Sequence, residues 1–331
     1  MTLSDVEGQP RALSQLRVGL RSGRQHHAYL FIGPRGVGKA LAAVRFAQAL
    51  NCEADPDGCG ACESCRSIER GSHPDVVRIQ AEGADGGGGS REIRVQQIRE
   101  LCASLQLRPV RARRKVAIIL GASMMNSAGQ NALLKTLEEP PPSTVLVLVA
   151  DGDERLLSTV RSRCLRIPFG PLPRALLAER LMAEGLPEAE ARLRAALPQG
   201  SGLSDAFMKR RGALWDRLQR LISARGEDAA ILAALELAED AGSDRERATE
   251  ALRAIAWILR DLLLVGDGAL PAEALLNVDL DPALRALGAG VDPAFLLRSL
   301  EAVREALSAI DGNGAPRLQL EAALLRLAGA A

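Results

Sequence analysis

The segment GPRGVGKA (33–40) constrains this chain more than any other, because of what stands on either side of it. Before it runs AYLFI (28–32), an apolar stretch of strand length, and after it a helical pattern begins. A glycine-rich turn between a buried strand and a helix N-terminus is the context of a phosphate-binding loop. Gly33, Gly36 and Gly38 permit the tight turn, backbone N–H groups face an anion, and Lys39 reaches its outer charges. A purely structural turn is the competing reading, and the flanking pattern makes it the poorer one. Two more apolar runs, KVAIIL (115–120) and TVLVLVA (144–150), read as buried strands separated by helical stretches. The chain to about residue 168 is therefore expected to build a parallel α/β sheet.

Two features depart from a hydrolysing site. The residue after the loop lysine ordinarily offers a hydroxyl to the Mg²⁺ of a bound nucleotide; here it is Ala40. The end of the next core strand should supply an Asp for the metal and a Glu to activate water, but KVAIIL ends in Leu120 and Gly121, followed by Ala122 and Ser123. Electrostatic stabilisation of phosphoryl transfer has lost most of its parts. No intrinsic ATP hydrolysis is expected, while the backbone cradle and Lys39 leave ATP or ADP binding open.

Cys52, Cys59, Cys62 and Cys65 are spaced C-x6-C-x2-C-x2-C, with Gly58 and Gly60 between them. Four thiolates in this spacing are the donor set of a closed, structural Zn²⁺ site, with no coordination position left for catalysis. Reduced, unligated thiols and a redox C-x2-C are the competing readings; the latter would open a thioredoxin-like helix, whereas these cysteines form an insertion after the loop's helix. His73, in SHPD, reads as a turn or core histidine rather than a further ligand.

Beyond PFGPLP (168–173) the strand signals stop. Leu252, Ile255, Ile258, Leu259 and Leu262 recur at helical spacing, and Phe295, Leu296, Leu300, Val303, Leu307 and Ile310 repeat the pattern. Spacing alone does not separate an internal core from a partner interface. A break near GSGLSD (200–205) divides this half into a smaller and a larger helical unit, giving expected domains at 1–168, with the cysteine module at 52–65, then 169–208 and 209–331. The tract GADGGGGS (83–90) reads as a loop tip.

Composition excludes some functions. Lys plus Arg number 42 against 41 Asp plus Glu, so no global field holds a polyanion, and aromatics at 2% leave few platforms for stacking bases. The cluster RPVRARRK (108–115) precedes a buried strand and reads as a solvated turn. The N-terminus lacks a signal-peptide pattern and no apolar run reaches membrane-spanning length, so a cytoplasmic protein is expected. In TVRSRCLRIPF (159–169), Arg163 follows a short helical turn. An arginine held rigidly at a subunit edge can stabilise charge on a neighbour's ATP, although most exposed arginines are merely solvated. Cys164 beside it reads as a small buried hydrophobe.

Together, HAYLFIGPRGVGK (27–39), the four-cysteine insertion, GSHPDVV (71–77), NALLKTLEEPPPST (131–144), LLSTVRSRC (156–164) and NGAPRLQLEAALLRL (313–327) resemble the bacterial DNA polymerase III clamp-loader subunits of the AAA+ class, in that family's order and over nearly the whole chain. The gap between Cys52 and Cys59 is shorter than in many related sequences. The resemblance implies an α/β P-loop AAA+ module carrying a zinc insertion, then an all-α lid and an all-α C-terminal collar. It also implies a heteropentameric ring with tau or gamma motor subunits and delta, acting on a sliding clamp and primed DNA. Ala40, Leu120 and Gly121 place the chain with the members that have lost their ATPase motifs, and Arg163 is then the arginine finger supplied in trans. Two alternatives stay open: an active tau/gamma-like ATPase motor, which needs a replacement metal ligand and base, and a stand-alone zinc-dependent nucleic-acid binder, which near-neutral charge disfavours.

Overall fold

The computed structural model describes residues 2–81, 92–198, 204–266 and 274–329. The glycine tract at 83–90 and most of the 200–205 break lie outside the described residues. The chain divides into two compact units, Met1–Pro173 and Arg174–Ala331.

In the first unit, α1 (Pro10–Ser22) precedes β1 (Ala28–Ile32), α2 (Lys39–Asn51), α3 (Glu63–Glu69), β2 (Val76–Ile79), α4 (Val95–Leu105), β3 (Lys115–Leu120), α5 (Ser127–Glu138), β4 (Thr144–Ala150), α6 (Ser158–Arg161) and β5 (Leu165–Pro168). The five strands form one sheet of order β2-β3-β4-β1-β5, and every pairing is parallel. The three strands read from sequence are its three inner strands. All but the last residues of β1 and β3 are buried, as expected of parallel strands covered on both faces.

Alternation along β1 assigns the two faces. Ala28 and Leu30 share a core with Ile98, Leu101 and Leu105 of α4 and with Leu133 and Leu137 of α5. Tyr29 and Phe31 point the other way, toward Phe46 of α2, whose ring meets that of Tyr29 edge-on at 4.9 Å between centroids. The P-loop α/β module is thus present as the fold class requires.

The second unit contains α7 (Arg174–Ala183), α8 (Glu188–Ala196), α9 (Asp205–Ser223), α10 (Asp228–Ala241), α11 (Arg245–Gly266), α12 (Asp281–Gly288), α13 (Pro293–Asp311) and α14 (Pro316–Ala328), and no strand among its described residues. Both apolar stripes read from sequence meet inside one core: Leu252, Ile255, Ile258, Leu259 and Leu262 of α11 are fully buried against Phe295, Leu296, Val303 and Ile310 of α13. A buried polar knot braces this core, in which Asp261 accepts from the backbone N–H of Leu276 and Asn277 and from the Asn277 amide. α9 begins at Asp205, so the expected boundary between 208 and 209 falls in its first turn. No described helix is long and apolar enough to cross a membrane.

Candidate functional site

The loop 33–38 leaves the C-terminal end of β1, the edge of a parallel sheet where ligand sites form. Gly33 is required there: a Cβ at that position would lie 2.1 Å from the Phe169 carbonyl oxygen. Gly38, at φ 94°, caps α2, whose first residue is Lys39. Gln9, buried, clamps the loop from behind by donating to the carbonyls of Val37 and Gly170 and accepting from the Gly170 N–H.

The Lys39 ammonium is drawn inward. It donates to the carbonyls of Gly33 at 2.6 Å and Pro34 at 2.5 Å and to Asp151 Oδ1 at 3.0 Å, and the side chain is 5% exposed. Asp151 follows β4 directly, and its other oxygen receives Arg35 Nε at 2.6 Å. Burial opposes ionisation of Asp151, but Arg35 and Lys39 outweigh it and hold the carboxyl below its ordinary range. Ala40 is exposed, and β3 ends at Leu120 and Gly121, so neither place offers a metal ligand or a base.

α2 carries the chain about 18 Å back along the sheet to the cysteine module. Cys52 ends α2, Cys62 caps α3, and the Sγ atoms of Cys52, Cys59, Cys62 and Cys65 all lie within 4.8 Å of one another. A tetrahedral site with metal–sulfur bonds of about 2.3 Å needs sulfurs about 3.8 Å apart, so this set can hold a metal ion with little movement. The backbone is arranged for thiolates. Cys59 N–H donates to Cys52 Sγ, Cys62 N–H to Cys59 Sγ and Cys65 N–H to Cys62 Sγ, at 3.3 to 3.4 Å. The N–H groups of Cys62 and then Ala61 bring the Cys59 thiol down to about 6, whereas burial pushes Cys65 up. Gln48 of α2 donates to the Cys65 carbonyl at 2.7 Å, and Arg45 pairs with Glu69 of α3, fixing the module to the sheet's helix.

Arg163 lies between α6 and the edge strand β5. Its Nη1 donates to the Thr159 carbonyl at 2.9 Å and its Nη2 meets Glu138 Oε1 at 2.7 Å, with the side chain 36% exposed. Cys164 is buried, and burial pushes its thiol up to about 12. The basic run is a bonded turn. Fully buried Asp75 accepts from the N–H groups of Val110, Arg111 and Ala112, while Arg111 pairs with Glu63, Arg113 donates to the Cys52 carbonyl and Lys115 to those of Ser104 and Leu107. His73, buried beside it, accepts the Asp75 N–H on Nδ1.

The structure therefore joins Gly33, Gly36, Gly38 and Lys39 in one site and the four cysteines in another, and sets Arg163 apart from both. Sequence reasoning missed Asp151, Gln9 and Glu138. Asp151 had a signal, an acid directly after a buried strand at the ligand-binding edge; Gln9 had none. Glu138 stands inside NALLKTLEEPPPST, but nothing in its spacing indicated a partner 25 positions on.

A family model described as DNA polymerase III, delta subunit matches residues 8–173. The chain is 33% identical to the gamma/tau subunit of DNA polymerase III from Mycobacterium tuberculosis H37Rv, over 98% of its own length and 61% of that protein. It is 36% identical to the Bacillus subtilis subunit delta′ over 56% of its length and 55% of the relative's, and 39% identical to the Pseudomonas aeruginosa delta′ over 50% and 49%. The chain thus spans about three-fifths of the length of that gamma/tau relative.

Proposed function

The chain belongs to the DNA polymerase III delta-subunit family, and from that premise we propose that it is a non-hydrolysing, delta-prime-type subunit of the clamp loader. In this reading it joins delta and a tau/gamma motor in the ring that places a sliding clamp on primed DNA. Residues 1–168 form the AAA+ module, 169–208 the lid and 209–331 the collar. Arg163 completes the neighbouring motor's ATP site in trans.

The observation that carries the reading is where Arg163 stands. Leu165, two residues on, pairs with Tyr29 near the start of β1, whereas the phosphate loop leaves the end of that strand. Leu165 is level with a point four residues, roughly 13 Å along the strand, before the loop's first residue. Arg163 is thus badly placed for its own loop, yet it immediately precedes the sheet's edge strand, with its side chain 36% exposed and its guanidinium held by Thr159 and Glu138. A planar guanidinium there suits charge developing on a neighbour's transferred phosphate.

The four cysteines would hold a structural Zn²⁺, which supplies a rigid crosslink between α2 and α3 and no chemistry of its own. Any ATP or ADP admitted to the loop would rest on the 33–38 backbone and Lys39 without being hydrolysed. A second reading, an active tau/gamma-like motor, is favoured by the similarity to gamma/tau over 98% of the chain. Ala40 and the Leu120–Gly121 strand end oppose it, since no hydroxyl, metal-binding Asp or activating Glu stands at those places.

The test is ATP hydrolysis by the purified chain alone and after reconstitution with the motor, delta, clamp and primed DNA. The chain alone is expected to be silent. Arg163→Ala should lower DNA-stimulated turnover of the complex on the order of tenfold or more. An unchanged rate would sink the trans role, and steady phosphate release by the isolated chain would establish the motor reading.

A further inference from the structure

The phosphate loop already holds an anion of its own. Ala150, the last residue of β4, is registered against Ile32, the last residue of β1, which brings Asp151 beside Gly33 at the mouth of the loop. Both its carboxylate oxygens are engaged, Oδ1 by Lys39 Nζ at 3.0 Å and Oδ2 by Arg35 Nε at 2.6 Å. An ammonium has three N–H donors and no acceptor. Those of Lys39 meet the Gly33 carbonyl, the Pro34 carbonyl and Asp151, so the group that would reach a terminal phosphate is saturated from within the chain.

Admitting a nucleotide therefore requires more than filling the loop. A phosphate must take Lys39 from Asp151, and the displaced carboxylate, tethered to the end of β4, stays within a few ångströms of the incoming negative charge. A Mg²⁺ ion would ordinarily screen such a contact, but Ala40 has no hydroxyl to help seat one. Arg35, the other cation at the mouth, is engaged by the same carboxylate.

We propose that Asp151 is the resident anion of this loop and the residue that decides its occupancy: ionised, it excludes nucleoside di- and triphosphates, and neutralised, it admits them. This deepens the reading of residues 33–39 as a degenerate nucleotide cradle and rests on it. Asp151 is 43% exposed and lies at a strand end, so its amide isostere is compatible with the fold.

The experiment is a fluorescence titration of the purified full-length chain with N-methylanthraniloyl-ADP and -ATP, with and without Mg²⁺, with folding of each variant checked by thermal melting. Asp151→Asn is expected to bind on the order of tenfold or more tighter than the wild type. Asp151→Ala should do the same, and Lys39→Ala added to Asp151→Asn should abolish the gain. Equal affinity of wild type and both Asp151 variants, no binding by any of them, or a gain that survives loss of Lys39 each overturns the proposal. Because the isolated chain is titrated, none of these outcomes depends on Arg163 or on assembly of a loader.

Discussion

Asp75 illustrates how much one enclosed carboxylate can organise. Its two oxygens receive the N–H groups of Val110, Arg111 and Ala112, which turn the chain into β3, while its own carbonyl accepts the Val116 N–H at 2.9 Å. Burial opposes the charge, yet the three N–H donors, Arg111 first, win and hold the carboxyl below its ordinary 3.8. The sign follows: a depressed folded value contributes stability above 3.8, and that contribution is lost as pH falls through the lower folded value. Asp75→Ala leaves three donors without an acceptor and is expected to cost on the order of 3 kcal/mol in denaturant unfolding at neutral pH. The difference between wild type and variant should shrink below about pH 4. A difference constant from pH 7 to pH 3 would show that the carboxylate's charge is not what holds the turn. A basic run was legible at 108–115, but its bonding to an acid 35 positions earlier was not, because hydrogen bonds across such separations leave no local pattern.

The α2–α3 pair draws its geometry from side chains that a short helix cannot supply alone. α3 has only seven residues, below the length at which a helix persists in water, and Cys62, Cys65 and the Arg45–Gln48–Glu69 cluster hold it. If a structural Zn²⁺ joins the four sulfurs, metal analysis of purified protein should find about one zinc per chain. Stripping it with a thiol reagent and chelator should lower the melting temperature by several degrees and expose four newly reactive thiols, and added zinc should reverse both. Metal-free protein with an unchanged melt would reduce the module to four thiols. Spacing made this set legible because ligands on one short loop are close in sequence as well as in space. Strands were legible on the same principle. β1, β3 and β4 are unbroken apolar runs buried on both faces, whereas VVRI of β2 and LRIP of β5 are four-residue edge strands interrupted by Arg78 and Arg166 and carried no comparable signal.

At the size of the whole chain, periodicity located the helical core but not its limits. The stripes on α11 and α13 were readable because packing repeats every three to four residues, and only the fold shows that they face each other within one core. The division of the helical half depends on a few residues at the start of α9. Ser204 caps that helix by accepting the Phe207 N–H at 3.1 Å, its own N–H donates to Glu250 Oε1 at 2.6 Å, and Phe207 lies buried in the core. A collar cut at 209 discards the cap and this ring, whereas one cut at 204 keeps both. The main core of the helices from α9 onward contains no residue of α7 or α8, and α8 adds only a small cluster in which Leu193 packs with Leu276, Met208 and Trp257, so a fragment of residues 204–331 is expected to fold cooperatively without it. A fragment of residues 209–331 should be less stable by about 3 kcal/mol, from the lost cap together with the lost burial of an aromatic side chain. Urea unfolding of the two fragments measures this directly. Equal midpoints would mean that the first turn of α9 is dispensable and that the helical unit is delimited by its later helices alone, while failure of both to fold would mean that α7 and α8 complete a core that the packing of α9–α14 does not close by itself.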